Sequence, residues 1–522
     1  MTRNTHARRL SRRAFLGGLT GAAGSVLLAA CGAAGTTRQP APGAGAAPQR
    51  PLRIAENQFP TSLDGDAGFA GYSLMSYGIA EALMRVTPEM TVVPWLAQRL
   101  EPLDPRTWRV TLRDGVVFWD GSPVDAQAVG RSFERSVQQQ AGATAALLPP
   151  GTTFRADGLT LDIQTPEPVG AMAQNLASFY LTIKRVGADG GISYTGPYQP
   201  VDFVEKTSLE LRAFPAYHSG PVATPSIAVR YIPDVNTRAL ALQSGDVDIA
   251  HALLPSQIEQ LKAGGFQVHA FPFGRQNDII LNVTRPPLDD RDVRRAIALA
   301  VDREALLKGV LGGVGTPAYA LAPANLGLSG VVDTQRYDRA EAERLLDAAG
   351  WARGADGMRA KDGGRLAFGL GFYSSRAELE PLAVAIKDQL RAVGIDVQVE
   401  QFPDINTTVA GNGFDATMYS YGVAPNGDID RAIALLYTPS GSNKERYSNP
   451  RVNELFAQLG RTADPARRQR LLGEIQTLVG EDVPVVYVVN PFQIVALSPQ
   501  VLGFTAHPLE NYKIDARLRL GG

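Results

Sequence analysis

The residue types that carry enzyme chemistry are sparse in this chain of 522 residues. It has one cysteine, Cys31, and its five histidines show no metal-binding spacing such as HExxH. The stretch YHSGP at residues 217–221 lacks the first glycine of the GxSxG motif that presents a nucleophilic serine. We therefore expect a binding protein with no metal site and no cofactor, and keep an exported hydrolase as an alternative.

The segment before Cys31 has the properties of an export signal. Five arginines and no acidic residue lie within residues 1–13, and residues 14–30 carry no charge. A basic start, a short apolar segment and small residues before the cleavage site are typical of a secretory signal peptide. Residues 14–30 are too short and too rich in glycine to favour a membrane-spanning helix. The sequence therefore predicts a signal peptide over residues 1–30.

Two short motifs in this segment indicate the route and the anchor. SRRAFL, at residues 11–16, resembles the twin-arginine export motif. LAAC, at residues 28–31, resembles the lipobox of bacterial lipoproteins, in which the cysteine sulfur receives diacylglycerol. The resemblance implies that Cys31 is the lipidation site. Two acyl chains would then hold the protein on the extracytoplasmic face of the cell membrane.

Residues 31–50 are predicted to form a flexible tether between this anchor and a folded body. Beyond Cys31 they are mostly Gly, Ala and Pro, with no aromatic side chain. Such a segment cannot bury enough apolar surface to fold.

The charge balance excludes one class of partner. Asp and Glu number 52 against 51 Lys and Arg, and the signal peptide holds five of the arginines and no acid. The chain after residue 30 is therefore acidic overall, which argues against binding to nucleic acid.

Alternating helix and strand signals over residues 51–522 predict an α/β fold larger than one small core. Asp338 and Glu341 have the spacing of a capping box at the start of a helix. An amphipathic helix is expected over residues 378–393, followed directly by an alternating, half-buried strand over residues 395–400.

Residues 112–126, LRDGVVFWDGSPVDA, carry the resemblance to a known family. They resemble the signature LRxGVxFxDGxPxxAxD of the solute-binding proteins of peptide/nickel-type ABC importers (family 5). The match departs only at its end, where this chain has Ala128 in the usual acidic position. Further blocks similar to those of the family follow in the right order: PWLA at 94–97, TGPY at 195–198, IPDVNTR at 232–238, RDVRRAIALAVD at 291–302, YSNP at 447–450 and EDVP at 481–484.

The resemblance implies a two-lobed, periplasmic-binding-protein-like fold (type II) with an extra subdomain in the first lobe. Lobe I would comprise residues 51–275 and 489–522, and lobe II residues 276–488. A peptide or similar small solute would bind in the cleft between the lobes, which close on it by a hinge. The implied partners are the permease and ATPase subunits of an ABC importer, and a monomer suits hinge closure.

The resemblance also implies where the solute contacts lie. The family places the loop of residues 57–73 at the mouth of the cleft, so Phe59, Phe69 and Tyr72 are candidates for stacking on the solute, with core packing as the alternative. Arg275 lies at the predicted crossing between the lobes, where a hinge hydrogen bond is the alternative role.

Two later segments supply further candidate contacts. The block YSYGVAPNGD at residues 419–428 contains Tyr421, Asn426 and Asp428. Asp428 precedes a helical run, where aspartate is commonly a cap. Arg376 is the candidate for a solute carboxylate, since its planar fork fits a carboxylate with two hydrogen bonds. An exposed arginine at a helix start is the alternative.

The resemblance leaves the solute open between a peptide and a metal chelate. Peptide-binding relatives hold the α-amine of the peptide with an aspartate where this chain has Val423. Nickel-binding relatives use a histidine that follows the same block, and residues 428–457 contain none. We adopt a peptide or similar small solute, with a nickel- or opine-type chelate as the alternative.

Overall fold

The predicted signal peptide, the lipidation site Cys31 and the tether up to residue 49 lie outside the part of the chain that the structure describes. The computed structural model describes residues 50–321, 333–439 and 443–521.

Arg50, the last residue of the predicted tether, is bound to the folded body. Its guanidinium donates two hydrogen bonds, of 2.7 and 2.8 Å, to the carboxylate of Asp248. This bidentate pair fixes the point at which the chain enters the unit formed by Arg50–Gly522.

Strands run through the whole described chain and form one large sheet and several small ones. They are β1 (Leu52–Glu56), β2 (Met84–Val86), β3 (Val92–Pro94), β4 (Ala97–Asp104), β5 (Thr107–Leu112), β6 (Thr153–Asp157), β7 (Thr160–Gln164), β8 (Arg185–Val186), β9 (Ile192–Ser193), β10 (Tyr198–Val204), β11 (Ser208–Ala213), β12 (Ser226–Tyr231), β13 (Ile249–Ala250), β14 (Gln267–Pro272), β15 (Arg275–Leu281), β16 (Gly315–Pro317), β17 (Ala352–Arg353), β18 (Arg359–Lys361), β19 (Gly364–Arg365), β20 (Ala367–Phe372), β21 (Asp396–Gln401), β22 (Ala416–Gly422), β23 (Val485–Leu497), β24 (Val501–Leu502) and β25 (Arg519–Leu520).

Helices connect these strands, and no helix in the described ranges is long and apolar enough to cross a bilayer. The α-helices are α1 (Ala70–Ser76), α2 (Ala126–Gln139), α3 (Ala141–Thr144), α4 (Met172–Asn175), α5 (Val235–Gln243), α6 (Ile258–Ala263), α7 (Arg291–Ala300), α8 (Arg303–Val310), α9 (Arg339–Ala348), α10 (Leu379–Ala392), α11 (Ile405–Ala410), α12 (Asp430–Tyr437), α13 (Pro450–Gly460) and α14 (Pro465–Asp482).

The large sheet contains two groups of parallel strands. Its order is β10-β11-β12-β1-β13-β23-β15-β22-β20-β21, with β14 and β16 paired to β23. β1 runs parallel to β12 and β13, and β20 runs parallel to β21 and β22. Parallel strands connected by helices confirm the predicted α/β class.

The long strand β23 joins the two groups. Its residues 492–497 pair with β14, and its residues 485–489 pair with β15. Between β14 and β15, Gly274 donates its N–H to the carbonyl of Pro508 at 2.7 Å and accepts from the N–H of Val423 at 3.0 Å. The predicted lobe boundaries at residues 275 and 488 fall in these two crossing segments, and the division into lobes stays a prediction.

The local signals read from the sequence are present at the expected places. Asp338 caps α9 by accepting from the N–H of Glu341, and the helix expected over residues 378–393 is α10. The strand expected over residues 395–400 is β21. The apolar face of α10 is buried as the periodicity predicts: Leu379, Leu382, Ala383, Ile386 and Leu390.

Several candidate residues lie just beyond the carboxyl ends of parallel strands. β1 leads into the loop that begins at residue 57, β20 into the segment with Arg376, and β22 into the segment with Asn426 and Asp428. In open α/β sheets, ligands bind beyond the carboxyl ends of the strands.

Arg303, at the start of α8, is fully buried and holds several chain segments together. Its guanidinium donates hydrogen bonds of 2.7–3.2 Å to the carbonyls of Ala298, Val301, Ala318 and Tyr487 and to the side-chain oxygen of Gln335. Burial lowers its pKa to about 10, so the group remains charged at neutral pH.

We expect Arg303→Met to lower the free energy of unfolding by about 3 kcal/mol or more, because buried carbonyls lose a donor that methionine cannot replace. Urea unfolding measures the change. The matched control is Arg344→Met, at an exposed arginine of α9, which should leave the unfolding midpoint unchanged. Similar midpoints for both variants would contradict a structural role for Arg303.

Candidate functional site

A cavity of about 490 Å³ lies where loops from distant parts of the chain meet. We call it the aromatic cavity. Its wall comes from α1 and the loop before it, the link between β14 and β15, the end of β22 and the turn at residues 508–511. A volume of this size suits a small organic ligand.

The aromatic cavity brings together five of the candidate residues predicted from the sequence. They are Phe59, Phe69, Tyr72, Arg275 and Tyr421. Phe59, Phe69 and Tyr72 come from one segment of the chain, whereas Arg275 and Tyr421 come from two distant segments that only the fold brings near it. Their role in binding stays a prediction.

The rings differ in how they are held. Tyr72 meets Phe179 edge to face, with ring centroids 5.3 Å apart, and Phe59 stacks on Phe203 at 6.1 Å. Phe69 lies 6.1 Å from Phe179 but is 71% exposed, directly after Gly68, whose φ of +57° turns the chain. An exposed phenylalanine at a cavity rim is available for a ligand.

Tyr421 presents its ring and not its hydroxyl. The hydroxyl donates a hydrogen bond of 2.6 Å to Oδ2 of Asp278, whose Oδ1 accepts from the N–H of Val488 at 3.1 Å. Burial raises the pKa of Asp278 to about 8, so this carboxyl is mostly neutral at pH 7. The hydrogen bond fixes the position of the Tyr421 side chain, which lines the aromatic cavity and is only 5% exposed.

Glu510 forms the polar floor of the aromatic cavity. Its Oε2 accepts hydrogen bonds from Nη2 of Arg275 at 2.8 Å and from the hydroxyl of Tyr72 at 2.6 Å. Its Oε1 lies 3.6 Å from Nη2 of Arg376. The side chains of Glu510 and Arg275 are only 3% and 14% exposed, so water screens their attraction weakly.

The charged partners also control each other's protonation. Burial alone would raise the pKa of Glu510, but the charges of Arg275 and Arg376 outweigh it and hold the pKa well below its ordinary value of 4.5. Burial alone would lower the pKa of Arg275, and the charge of Glu510 raises it instead. Glu510 and Arg275 are therefore an ionised pair whose net charge is zero.

Arg376 lines a different cavity from the other candidates. That cavity, of about 180 Å³, lies near Arg238 and Gln493. The Arg376 side chain is 10% exposed, and its nearest carboxylate is Glu510. Arg376 is therefore not the exposed arginine at a helix start that the alternative predicted. Its predicted contact with a solute carboxylate stays a prediction.

Asn426 and Asp428 are not on the wall of the aromatic cavity. Nδ2 of Asn426 donates to the carbonyl of Gln174 at 3.2 Å. Asp428 accepts from the N–H of Asp430 at 3.0 Å and pairs with Arg468 at 2.7 Å. Both carboxylate oxygens of Asp428 thus have partners within the protein, and Asp428 lies one residue before Ile429, the N-cap residue of α12.

The stretch that resembles a hydrolase motif makes a chain of contacts. Oγ of Ser219 lies 2.9 Å from Nδ1 of His218, whose Nε2 lies 2.9 Å from Oε2 of Glu81. Glu81 also accepts hydrogen bonds from Tyr217 and Thr195. It therefore ties a surface turn to the body, and neither cavity described above includes these residues.

Within the described ranges, no group of three or more His, Cys, Asp or Glu side chains is arranged to hold a metal ion.

Sequence reasoning missed several residues of the aromatic cavity. Phe179, Phe273 and Tyr419 add three rings, and Glu510 adds the carboxylate. The available signal for Glu510 was a single acid among apolar and amide residues in PLENY, at 508–512. Its partners lie far away in the sequence, so the sequence did not indicate which residues Glu510 contacts.

Comparison with known proteins gives one family. The family model described as bacterial extracellular solute-binding proteins, family 5 (middle), matches residues 91–444. The nickel-binding protein NikA of Staphylococcus aureus is 25% identical over 449 residues, 84% of this chain and 89% of that protein. The glutathione-binding protein GsiB of Pectobacterium atrosepticum is 28% identical over 475 residues, 86% of this chain and 90% of that protein.

Solved structures share the fold. The crystal structure of S. aureus NikA with Ni(L-His)2 superposes with a TM-score of 0.80 at 24% identity, covering 90% of this chain and 100% of that chain. The Bacillus subtilis oligopeptide-binding protein AppA, solved with a nonapeptide, gives 0.75 at 19% identity, covering 91% and 99%. These are two-lobed periplasmic binding proteins, which confirms the predicted fold.

We expect Glu510→Gln to lower the free energy of unfolding at pH 7 by about 3 kcal/mol or more, because Arg275 would be left buried without a counter-charge. Thermal or urea unfolding measures it. Glu341→Gln, in an exposed ion pair with Arg344, is the control and should have no measurable effect.

The same variant has a pH signature. The folded-state pKa of Glu510 lies below its ordinary value of 4.5, so its contribution to stability is complete above that pH and declines as the pH falls below it. The stability of Glu510→Gln should decline less steeply in acid than that of the unsubstituted protein. Parallel pH profiles would contradict this assignment.

Proposed function

Since the chain belongs to family 5 of the bacterial extracellular solute-binding proteins, we propose that it captures a small solute in the aromatic cavity and delivers it to an ABC importer. Binding proteins of this kind deliver solutes to permease and ATPase subunits, and they are not enzymes. The observation that carries the proposal is the convergence of five candidate side chains, from three separate segments of the chain, on one cavity of about 490 Å³.

The solute we propose is a peptide or a similar small organic molecule. The rings of Phe69, Tyr72 and Tyr421 offer flat apolar surface for peptide units or side chains. A metal chelate is the second candidate, favoured by the similarity to NikA, which is named for nickel. The chelator would then have to supply the metal's ligands.

We also propose that the protein is exported by the twin-arginine route and anchored through Cys31. Support comes from SRRAFL at residues 11–16 and LAAC at residues 28–31. The family is one of exported proteins. A lipid anchor with a flexible tether would raise the local concentration of the binding protein at its permease. We also propose a monomer, which suits hinge closure of the two predicted lobes.

The proposal predicts that the protein carries its solute through purification. Native mass spectrometry should detect a protein–solute complex, and mass spectrometry of the denatured sample should identify the released molecule. Refolded, solute-free protein should rebind that molecule in calorimetry. A protein that arrives empty, and binds no oligopeptide or metal chelate after refolding, would contradict solute capture.

Cys31→Ser should abolish anchoring without affecting the fold, because serine has no sulfur to receive diacylglycerol. We expect the variant to move from the membrane fraction to the soluble exported fraction, followed by fractionation and immunoblotting. Ser25→Ala, within the same signal segment, is the control and should stay with the membrane. A Cys31→Ser protein that remains membrane-bound would disprove the anchor.

A further inference from the structure

The aromatic cavity offers no unpaired charge to a solute. Among its described lining residues, the ionisable acid and base are Glu510 and Arg275, which pair with each other at 2.8 Å. A solute carboxylate would have to displace Glu510 from Arg275. A solute ammonium would approach a carboxylate that already has Tyr72 and Arg275 as donors. Either charge would lose its hydration without gaining a free counter-ion.

The cavity nevertheless contains hydrogen-bonding atoms that are not satisfied by the protein. Four buried side-chain oxygens on its wall have no hydrogen-bond partner within the described protein: Oε1 of Gln58, Oγ of Ser420, Oδ1 of Asn511 and Oε1 of Glu510. Nε of Arg275 is a buried donor on the same wall that also has none. Buried polar atoms are nearly always hydrogen-bonded, so five on one wall point to a ligand that completes them. The two amide oxygens can only accept, which requires donors on the ligand.

The position of the Asn511 oxygen is fixed by its own amide nitrogen. Nδ2 of Asn511 is directed to the carbonyl of Pro425 at 3.5 Å and to Sδ of Met75 at 3.3 Å. Both are acceptors, so the nitrogen belongs on that side and the oxygen on the other. Asn511 is fully buried, which makes the missing partner of its oxygen costly in the absence of a ligand.

Rings cover the remaining surface of the wall. Phe69, exposed at the rim, and the rings of Tyr72 and Tyr421 provide flat apolar faces around the same space. Such faces bind planar or disc-shaped groups well and do not favour compact ions.

From these contacts we infer that the aromatic cavity selects an uncharged group with a flat apolar face and N–H or O–H donors at its edge. This inference rests on the proposed function and adds the chemical class of the solute. A peptide would be held here through an inner residue and its amides, with its charged termini elsewhere. A neutral sugar has the same chemistry, with hydroxyl donors and a flat C–H face.

A matched set of ligands isolates the charge. N-acetyl-L-tyrosinamide is neutral, N-acetyl-L-tyrosine adds a carboxylate and L-tyrosinamide adds an ammonium, all with the same ring. We expect calorimetry with refolded, solute-free full-length protein to show that a neutral ligand binds about tenfold or more tightly than the two charged ones. Cellobiose is the second neutral probe, and tighter binding of either neutral compound identifies the source of the donors.

Two variants link the binding to this cavity. Phe69→Ala should weaken binding of the preferred neutral probe about fivefold or more, whereas Leu240→Ala, at another exposed apolar side chain (62% exposed, against 71% for Phe69), should not. Ser420→Ala should also weaken it, yet leave the melting temperature unchanged, because its Oγ bonds to nothing within the described protein.

Three results would overturn the inference. One is equal or tighter binding of a charged analogue, above all if Arg376→Ala removes the binding of N-acetyl-L-tyrosine. Another is no binding of either neutral probe, and the third is identical affinities for Phe69→Ala and Leu240→Ala. A charged solute that co-purifies would refute the neutral class and leave solute capture intact, whereas a protein that captures nothing would refute both.

Discussion

The pairing of Glu510 with Arg275 is the interaction on which the site depends. Without it, the guanidinium of Arg275 would be buried with no counter-charge among rings that cannot solvate it. With it, Arg275 at the start of β15, Tyr72 on α1 and the turn at residue 510 are held together at the floor of the cavity. The pair lets an arginine occupy an apolar wall without making that wall attractive to anions.

This arrangement separates two kinds of polar group that look alike in a sequence. Arg275 and Asp428 are charged, yet the protein itself supplies a counter-charge for each. Ser420 and Asn511 are neutral, and their buried oxygens have none within the described chain. Satisfied charges stabilise the fold, whereas unsatisfied neutral atoms indicate what a ligand must bring. Charge alone is therefore a poor guide to binding residues in this protein.

Local elements were predictable because their causes are local. The cap at Asp338, the buried face of α10 and the strand after it follow from spacing within one turn or one strand. Some of the rings of the aromatic cavity were predicted, because Phe59, Phe69 and Tyr72 lie close together in one segment of the sequence. Glu510 was not found, because its meaning comes from Arg275, which lies 235 positions earlier. The environment of Arg376 was missed for the same reason: the carboxylate beside it belongs to a distant turn.

The backbone of Gly274 adds a mechanical consequence. Its N–H is bonded to Pro508 and its carbonyl to Val423, and the next residue carries the guanidinium that holds Glu510. A twist between the strand groups that β23 connects would also rotate the link at Gly274. Rotation of the segment that carries Arg275 would then strain or relax its ion pair with Glu510 at the cavity floor. The shape of the solute cavity and the angle between the two strand groups would then both depend on the peptide unit of Gly274.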